Sequence, residues 1–318
     1  MSKIETIDVV LPFHRDDRFL LQAVRSIKNQ NGCRVNLILV DDRKNNSKLG
    51  LELTQGAKII KTGGVGYRAA LKVGLEQCQA RFVAFQDSDD VSSPNRLEKQ
   101  VKKLKEGELD LVFCQMETIN SYGKKTRVSR PMPLTARTAR EALLIGSYGA
   151  DSTWLMKADC LIDFFQFSYQ SIDWATALIK FPTIRVDAVQ EKLYLYRKHS
   201  NQMTAKMNYS LDAFNEVYPL WLNLNNSMGL PELREVDAAT ISFPPVGRKW
   251  NAEVQNWTIA LLDRISFLGN HEVRMYEAMF GQRALQSCTR NGVNCEVLLA
   301  KKYIHAFLGY QIRTHPAG

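Results

Sequence analysis

The chain has 318 residues, 45% of them hydrophobic and 24% charged, and a formal net charge of +9. This composition is typical of a soluble globular protein with one large domain, or one domain and an appendage, and no apolar run approaches the length of a membrane span. The amino terminus lacks the apolar core of a signal peptide, and the six scattered cysteines indicate neither a disulfide framework nor a C-x-x-C metal site. We therefore expect a cytoplasmic protein.

The positive charge is unevenly distributed. Residues 205–318 hold 11 Lys and Arg against 10 Asp and Glu, so nearly all of the excess lies in residues 1–204. A basic region suits a polyanionic partner, such as nucleotide phosphates, a nucleic acid or an anionic membrane surface. A basic surface that serves solubility alone explains the charge at least as well.

Apolar runs alternate with amphipathic segments over the first ninety residues. The predicted strands are 7–13, 35–40, 58–61 and 82–85, and the predicted helices are 16–29 and 67–79. Carboxylates or glycines stand at the ends of the strands. The alternation predicts a doubly wound α/β sheet, which binds ligands at the carboxyl ends of its strands.

Two of these strand ends carry candidate ligand-binding groups. Asp41 and Asp42 follow the second strand, where they either bind a ligand or cap the strand end. Residues 63–66, with the sequence GGVG, precede a helix and are able to present backbone N–H groups to an anion. They match neither G-x-G-x-x-G nor a P-loop, so a plain loop is the favoured interpretation.

The fourth strand leads into FQDSDD, residues 85–90, which places three carboxylates in four positions. Carboxylates this close together repel one another, and a divalent cation beside them relieves the repulsion. Mg²⁺ and Mn²⁺ prefer one or two carboxylates together with phosphate oxygens and water. Asp87, Ser88 and Asp89 are therefore predicted to anchor a metal and a diphosphate, with an exposed acidic turn as the alternative.

The alternation continues beyond residue 90 and then gives way to helical periodicity. Further elements are predicted as a basic helix at 94–106, strands at 110–114, 152–156, 184–188 and 191–196, and a helix at 175–180. Helical periodicity returns in residues 208–225, 250–269, 271–290 and 293–308. We predict a domain of residues 1–204 that carries the chemistry and a mainly helical extension of residues 205–318.

An ordered series of motifs resembles the inverting, metal-dependent glycosyltransferases of family two, which have the GT-A fold. The resemblance covers residues 5–204. Its motifs are Pro12-Phe13, the VDD of 40–42, the glycine-rich turn before Arg68, FQDSDD at 85–90 with Pro94, Arg96 and Leu97, Asp173-Trp174, and YRKHSNQ at 196–202. The resemblance implies a Rossmann-like, mostly parallel sheet flanked by helices.

The resemblance also implies the residues of a site for a nucleotide-sugar donor. Asp42 would bind the nucleotide base, and Asp87 would contact the ribose or the donor sugar. The residues assigned to the donor are Pro12, Phe13, Asp42, Arg68, Gln86, Asp87 and Ser88. Asp89, with Asp90 beside it, would be the main ligand of Mn²⁺ or Mg²⁺, and His199 would lie close to the metal.

Asp173 would be the general base that takes a proton from the acceptor hydroxyl. The alternatives are that Asp173 caps its helix and that His199 is a surface histidine. The family often has Glu before this Asp, where this chain has Ile172, so Asp151 and Asp163 remain substitutes for the base. A metal-bound diphosphate as leaving group and one carboxylate base suffice for inversion at the anomeric carbon.

The implied function is transfer of a sugar, from a UDP-linked donor, to a saccharide or lipid-linked acceptor in surface polysaccharide or lipopolysaccharide assembly. Two alternatives remain open: a glycosyltransferase that acts on a nucleic-acid base, and a non-catalytic module that binds nucleotide sugars or glycans. The C-terminal helices are expected to contact the acceptor or to form a homo-oligomer. Peripheral association with the inner face of the membrane is a further option.

Overall fold

The computed structural model describes residues 4–45, 47–126, 138–146, 150–161, 172–203, 211–242 and 250–266, together with 273, 274, 276–278 and 280. The chain divides into two compact units. The first comprises residues 1–126, 149–166 and 184–205, and the second comprises 127–148, 167–183 and 206–318. The chain passes from the first unit to the second for the last time between residues 205 and 206, one residue after the predicted domain boundary. The assignment of functional domains to these two parts stays a prediction.

The first unit is built on a mixed sheet whose described strands have the order β3-β2-β1-β4-β7-β6-β8-β5. The strands are β1 Glu5–Phe13, β2 Cys33–Asp41, β3 Ala57–Lys61, β4 Phe82–Phe85, β5 Val91–Ser92, β6 Leu111–Asn120, β7 Leu155–Lys157 and β8 Val186–Lys198. The first four strands pair in parallel, β6 and β8 are also parallel, and β7 and β5 are antiparallel to their neighbours. This confirms the predicted α/β class.

Four helices of the first unit pack against the sheet or lie at its edge: α1 Arg18–Lys28, α2 Leu51–Thr54, α3 Tyr67–Leu75 and α4 Arg96–Glu106. The Asp17 side chain caps α1 by accepting hydrogen bonds from the backbone N–H groups of Phe19 and Leu20. Gly74 brings α3 close to the sheet, because a Cβ at this position would lie 2.4 Å from a methyl group of Val10.

Helix α3 ends earlier than its periodicity predicts. The buried carboxylate of Asp8 accepts hydrogen bonds from the backbone N–H groups of Gln79 and Ala80, and Asn36 donates a third. These bonds hold residues 79 and 80 in a turn beside β1. The predicted helical end at residue 79 is therefore wrong, since a side chain distant in sequence binds the backbone there.

Strand β8 corrects the prediction of two short strands at 184–188 and 191–196. It is one continuous strand of 13 residues along β6. Its pairing with β6 is irregular: Cys114 pairs with Val189, and Met116 pairs with Tyr194. β8 therefore has extra residues in this part. The predicted break between the two strands, at residues 189 and 190, lies where this irregular pairing begins.

The described elements of the second unit are mainly helical and surround a core of aromatic side chains. The helices are α5 Ala139–Leu144, α6 Ile172–Lys180, α7 Leu211–Asn215, α8 Tyr218–Ser227, α9 Glu235–Ser242 and α10 Ala252–Ile265. The buried indoles of Trp174, Trp221 and Trp257 donate hydrogen bonds to Leu143 O, Leu144 O and Asn225 Oδ1, respectively. This agrees with the predicted helical character of the C-terminal part.

The helices predicted at 271–290 and 293–308 lie outside the described residues, apart from a few positions between 273 and 280. Within the described ranges, each helix is too short or too polar to cross a bilayer.

Candidate active site

The acid turn, residues 87–90, lies at the carboxyl end of β4, which is placed between β1 and β7 in the sheet. All four residues of β4 are buried. Asp87, Ser88 and Asp89 are half-buried, whereas Asp90 is only 1% exposed. Because a parallel strand ends here, the turn opens at the edge of the sheet where doubly wound folds bind ligands.

Asp89 contacts His199, the residue that directly follows β8. The Nε2 atom of His199 lies 2.9 Å from Oδ2 of Asp89, and the two side chains are 11% and 30% exposed, respectively. The imidazole packs at 5.0 Å from the ring of Phe19, and the backbone N–H of Asn201 donates to its Nδ1 atom. The structure thus brings together the two residues predicted to bind a metal.

Asp90 is buried beside the turn and tied to β8. Its Oδ1 atom accepts a hydrogen bond of 2.7 Å from the backbone N–H of Arg197, whose Nε donates to the backbone oxygen of Asp89. Burial raises the pKa of Asp90 well above its ordinary value, and the charges of Asp87 and Asp89 act in the same direction. The turn therefore concentrates negative charge in a position with little water.

The hydroxyl of Tyr67 contacts two carboxylates, those of Asp87 and Asp151. The hydroxyl of Tyr67 lies 3.3 Å from Oδ1 of Asp87 and 3.4 Å from Oδ2 of Asp151. Since a phenol carries one proton, it donates to one of these carboxylates at a time. Tyr67 was missed by the sequence analysis, although its place beside the glycine-rich turn was a signal. Asp151, which the sequence suggested only as a substitute base, contacts the same hydroxyl as Asp87.

Gln86 supports the turn from the protein interior. It is 1% exposed, its Oε1 accepts hydrogen bonds from Ser92 and Arg96, and its Nε2 donates to Asp87 O and to the Tyr194 hydroxyl. The same hydroxyl accepts a hydrogen bond from the backbone N–H of Asp87. The direct donor contact predicted for Gln86 stays a prediction, and what the structure describes is its support of the turn. The buried Tyr194 was not predicted.

The carboxylate of Asp42, predicted to bind the nucleotide base, accepts hydrogen bonds within the protein. Its Oδ1 accepts from Thr62 Oγ1 at 2.7 Å and from the backbone N–H groups of Gly64 and Val65, and its Oδ2 accepts from that of Gly66. Burial would raise the pKa of Asp42, but these four hydrogen bonds outweigh burial and lower it. The glycine-rich loop, whose Gly66 has a φ of 94°, thus binds an anion that belongs to the protein itself.

Asp41 forms a buried ion pair with Arg43. The Nε and Nη2 atoms of Arg43 donate to the two carboxylate oxygens at 2.8 Å each, and the guanidinium also binds Ser47. It lies over the ring of Phe13, with 5.6 Å between Cζ and the ring centroid. Pro12 and Phe13 are buried at the end of β1. The base contacts predicted for these two residues stay predictions.

The remaining predicted residues are placed as follows. Arg68 lies in the first turn of α3 and is half-buried, as is Ser88 in the acid turn. Asp173 is the second residue of α6 in the second unit, and its side chain lies outside the described part of the structure, as does all of Asp163. Their predicted roles stay predictions.

The described residues contain no group of three or more His, Cys, Asp and Glu side chains that encloses a metal. What they offer is one carboxylate and one imidazole in contact, Asp89 and His199, with Asp87 and Asp90 in the same turn. Such a set supplies part of a coordination shell and leaves the other positions to oxygen atoms from elsewhere.

Comparisons with known proteins relate the chain to glycosyltransferases. The model of glycosyl transferase family 2 matches residues 8–165. The chain is 25% identical over 229 residues to the O-antigen biosynthesis glycosyltransferase WbnJ of Escherichia coli, with 66% of this chain and 87% of WbnJ covered. It is 23% identical over 322 residues to the glycosyltransferase RP339 of Rickettsia prowazekii, with 94% of this chain and 96% of the relative covered.

Among solved structures, the chain resembles TarS 1-349 of Staphylococcus aureus in complex with UDP-GlcNAc. The TM-score is 0.54 at 17% sequence identity, and the alignment covers 96% of this chain and 92% of the TarS chain. The fold is thus of the GT-A type. The chain belongs to the family-two glycosyltransferases.

Proposed function

We propose that the protein transfers a sugar from a UDP-sugar to a hydroxyl group of a saccharide or lipid-linked acceptor, with inversion at the anomeric carbon, in the assembly of a surface polysaccharide. The observation that carries this proposal is the contact between Asp89 and His199 at the carboxyl end of β4. It joins residues 110 positions apart at the edge of the sheet where such folds bind nucleotides.

The donor and acceptor classes are taken from the relatives. WbnJ is named for O-antigen biosynthesis, and the structure of TarS contains UDP-GlcNAc. TarS is also named as a poly(ribitol-phosphate) β-N-acetylglucosaminyltransferase. These names support a UDP-linked donor and a polymeric saccharide acceptor, and they leave the sugar and the linkage open.

Asp89 and His199 would hold Mn²⁺ or Mg²⁺, because a carboxylate and an imidazole are both suitable ligands for Mn²⁺ and the diphosphate and water would complete the shell. A divalent ion bound there supplies Lewis-acid stabilisation of the charge on the leaving diphosphate. The residues of this chain orient the donor. Asp42 Oδ2 accepts one hydrogen bond from the protein, and a carboxylate oxygen has room for a second, such as an N–H group of the base.

The corner formed by Tyr67, Asp87 and Asp151 would bind hydroxyl groups of the donor. A carboxylate accepts a hydrogen bond from a sugar hydroxyl, and the phenol either donates to that hydroxyl or holds the carboxylate in place. Asp173 would take the proton of the acceptor hydroxyl as the hydroxyl attacks the anomeric carbon from the face opposite the diphosphate.

No observation favours a nucleic acid as acceptor. Helix α4 lies within the basic region that suggested an anionic partner. Several of its lysines are paired with carboxylates: Lys99 with Glu191, Lys103 with Asp187 at 2.9 Å, and Lys105 with Glu5 at 2.8 Å. Much of its positive charge is thus balanced by the protein.

A thermal-shift panel tests the donor site. UDP, GDP, CDP and UDP-GlcNAc would each be added with Mn²⁺, with Mg²⁺ and with a chelator. We expect the uridine nucleotides to raise the melting temperature, and to do so only with metal, because a ligand that binds the native state stabilises it by mass action. Stabilisation by no nucleotide, with the fold intact, contradicts the proposal and favours a module that binds glycans alone.

A second experiment identifies the base. Asp173→Asn, Asp151→Asn and Asp163→Asn would be compared for sugar transfer and for UDP binding. We expect Asp173→Asn to lower turnover by about 10³-fold while UDP affinity is unchanged, since a general base contributes roughly 10²–10⁴-fold. If Asp173→Asn keeps its turnover and one of the other two variants loses it, the base is that other residue.

A further inference from the structure

Arg96, the first residue of α4, is completely buried and is surrounded by uncharged acceptors. Its Nε donates to Gln100 Oε1 at 3.0 Å, and its Nη1 donates to Ser92 Oγ at 2.9 Å and Gln86 Oε1 at 3.3 Å. The Nη2 atom donates to the backbone oxygens of Phe85, Ser152 and Trp154. All of these described acceptors are neutral amide, hydroxyl or carbonyl oxygens.

Apart from Gln100 of the same helix, these acceptors belong to three segments. Phe85 ends β4 and Gln86 leads into residues 87–90, Ser92 lies in β5, and residues 152–154 directly follow Asp151. One guanidinium therefore joins, from the protein interior, the backbone segments that lead into Asp87 and out of Asp151. Loss of any one contact would loosen the backbone that positions Asp87 or Asp151.

The charge of Arg96 also acts on Tyr194, which contacts the acid turn. Its Cζ atom lies 5.0 Å from the ring centroid of Tyr194, whose hydroxyl accepts the hydrogen bond from Asp87 N. Burial raises the pKa of Tyr194, and the charges of Asp90 and Asp87 raise it further while that of Arg96 lowers it. The phenol thus lies within the fields of both the cation and the carboxylates.

A buried guanidinium that lacks a direct carboxylate partner is costly, because neutral acceptors return only part of its lost hydration energy. The carboxylates of the acid turn directly follow two acceptors of Arg96, Phe85 and Gln86, in the sequence. A diphosphate at the turn would add further negative charge, so the cation favours the complex over the free protein.

We propose that Arg96 is a positioning residue that fixes the acid turn from the protein interior and whose charge selectively strengthens binding of the donor's diphosphate. This inference rests on the proposed function, since it requires a nucleotide diphosphate at the turn. It predicts that the charge of Arg96 affects a charged ligand and leaves an uncharged analogue of the same nucleoside unaffected.

The test compares UDP with uridine, each titrated in the presence of Mn²⁺ into the wild type, Arg96→Gln and Arg96→Lys. We expect Arg96→Gln to weaken UDP binding by about tenfold and uridine binding by less than about twofold, because only UDP carries charge. Arg96→Lys keeps the charge without the fork of hydrogen bonds, so UDP affinity should stay within about threefold of the wild type. Leu97→Ala, a buried neighbour on the same helix, controls for loss of stability.

Equal weakening of UDP and uridine binding in Arg96→Gln, or no change in either, would overturn the proposal. If Arg96→Gln does not fold, Arg96→Lys alone decides: a tenfold loss of UDP affinity with unchanged uridine affinity contradicts a role for the charge, and retained UDP affinity supports it. If the wild type binds no UDP, it is the proposed function that fails.

Discussion

Strands β2 and β4 both pair in parallel with β1, and both end in consecutive carboxylates, but the two clusters have opposite surroundings. At the end of β2, Asp41 accepts two hydrogen bonds from the guanidinium of Arg43, and Asp42 accepts four from the loop at 62–66. At the end of β4, Asp87 contacts the Tyr67 phenol and Asp89 contacts the His199 imidazole.

The difference teaches that the number of carboxylates alone does not set the charge of a cluster, because the supply of hydrogen-bond donors around it also matters. The protein neutralises the β2 cluster itself, and the pKa of Asp42 is lowered because its hydrogen bonds outweigh burial. In the β4 cluster, burial and neighbouring charges raise the pKa of Asp90. A cluster left with excess negative charge has the greater affinity for a cation.

The largest effect is expected at the β4 cluster, where substitution should affect activity and not stability. Asp89→Asn should lower sugar transfer by about 10³-fold, because it would remove a ligand of the ion that stabilises the charge of the leaving diphosphate. Its free energy of unfolding should not fall, because repulsion in the acid turn is relieved. Transfer assays measure the activity of Asp89→Asn and of a control, Asp187→Asn. Urea denaturation measures the free energy of unfolding of the same two variants. Lost stability in Asp89→Asn would remove the distinction between the clusters.

The next largest effect is expected at the ion pair of the β2 cluster. Arg43→Met should lower the free energy of unfolding by about 3–5 kcal/mol, because it leaves the buried charge of Asp41 without its partner. Adding Asp41→Asn should restore part of this loss, which a double-mutant cycle in urea quantifies. If the double variant is less stable than Arg43→Met, the ion pair is not the source of the effect.

The smallest effect is expected at Asp42 and depends on pH. Asp42→Asn should cost about 1–3 kcal/mol at pH 7, since hydrogen bonds to a charged acceptor are lost. The pKa of Asp42 in the folded protein is below its ordinary value of 3.8. The charged carboxylate therefore contributes its full stabilisation above about pH 3.8. This contribution is lost as the pH falls through the lower pKa of the folded state. Urea denaturation at pH 7 and pH 3 should therefore show the two proteins converging at the lower pH. A difference independent of pH would assign the effect to packing.

The sequence predicted β1, β2 and β4 well, because buried parallel strands are continuous apolar runs. The strand predicted at 110–114 continues to residue 120 as β6, and the one predicted at 152–156 is β7 at 155–157. The sequence did not predict α2 or β5, which are too short to show periodicity. Asp89 and His199 were assigned to one metal site only because their motifs resemble those of family-two glycosyltransferases. Arg96 and Gln100 lie in a helix rich in lysine, so their burial had no local signal; their acceptors come from distant segments of the chain.

The irregular pairing of β8 with β6 has a consequence for insertions and deletions. Between Val189 and Tyr194 the strand gains an odd number of residues relative to β6, so its side chains exchange faces before they reach the acid turn. A gain or loss of one residue in this part would exchange the buried Arg197 with the exposed Lys198. The tie to Asp90 and the approach of His199 to Asp89 would both be lost. A change of two residues would restore the faces but would move each side chain by about 7 Å along the strand.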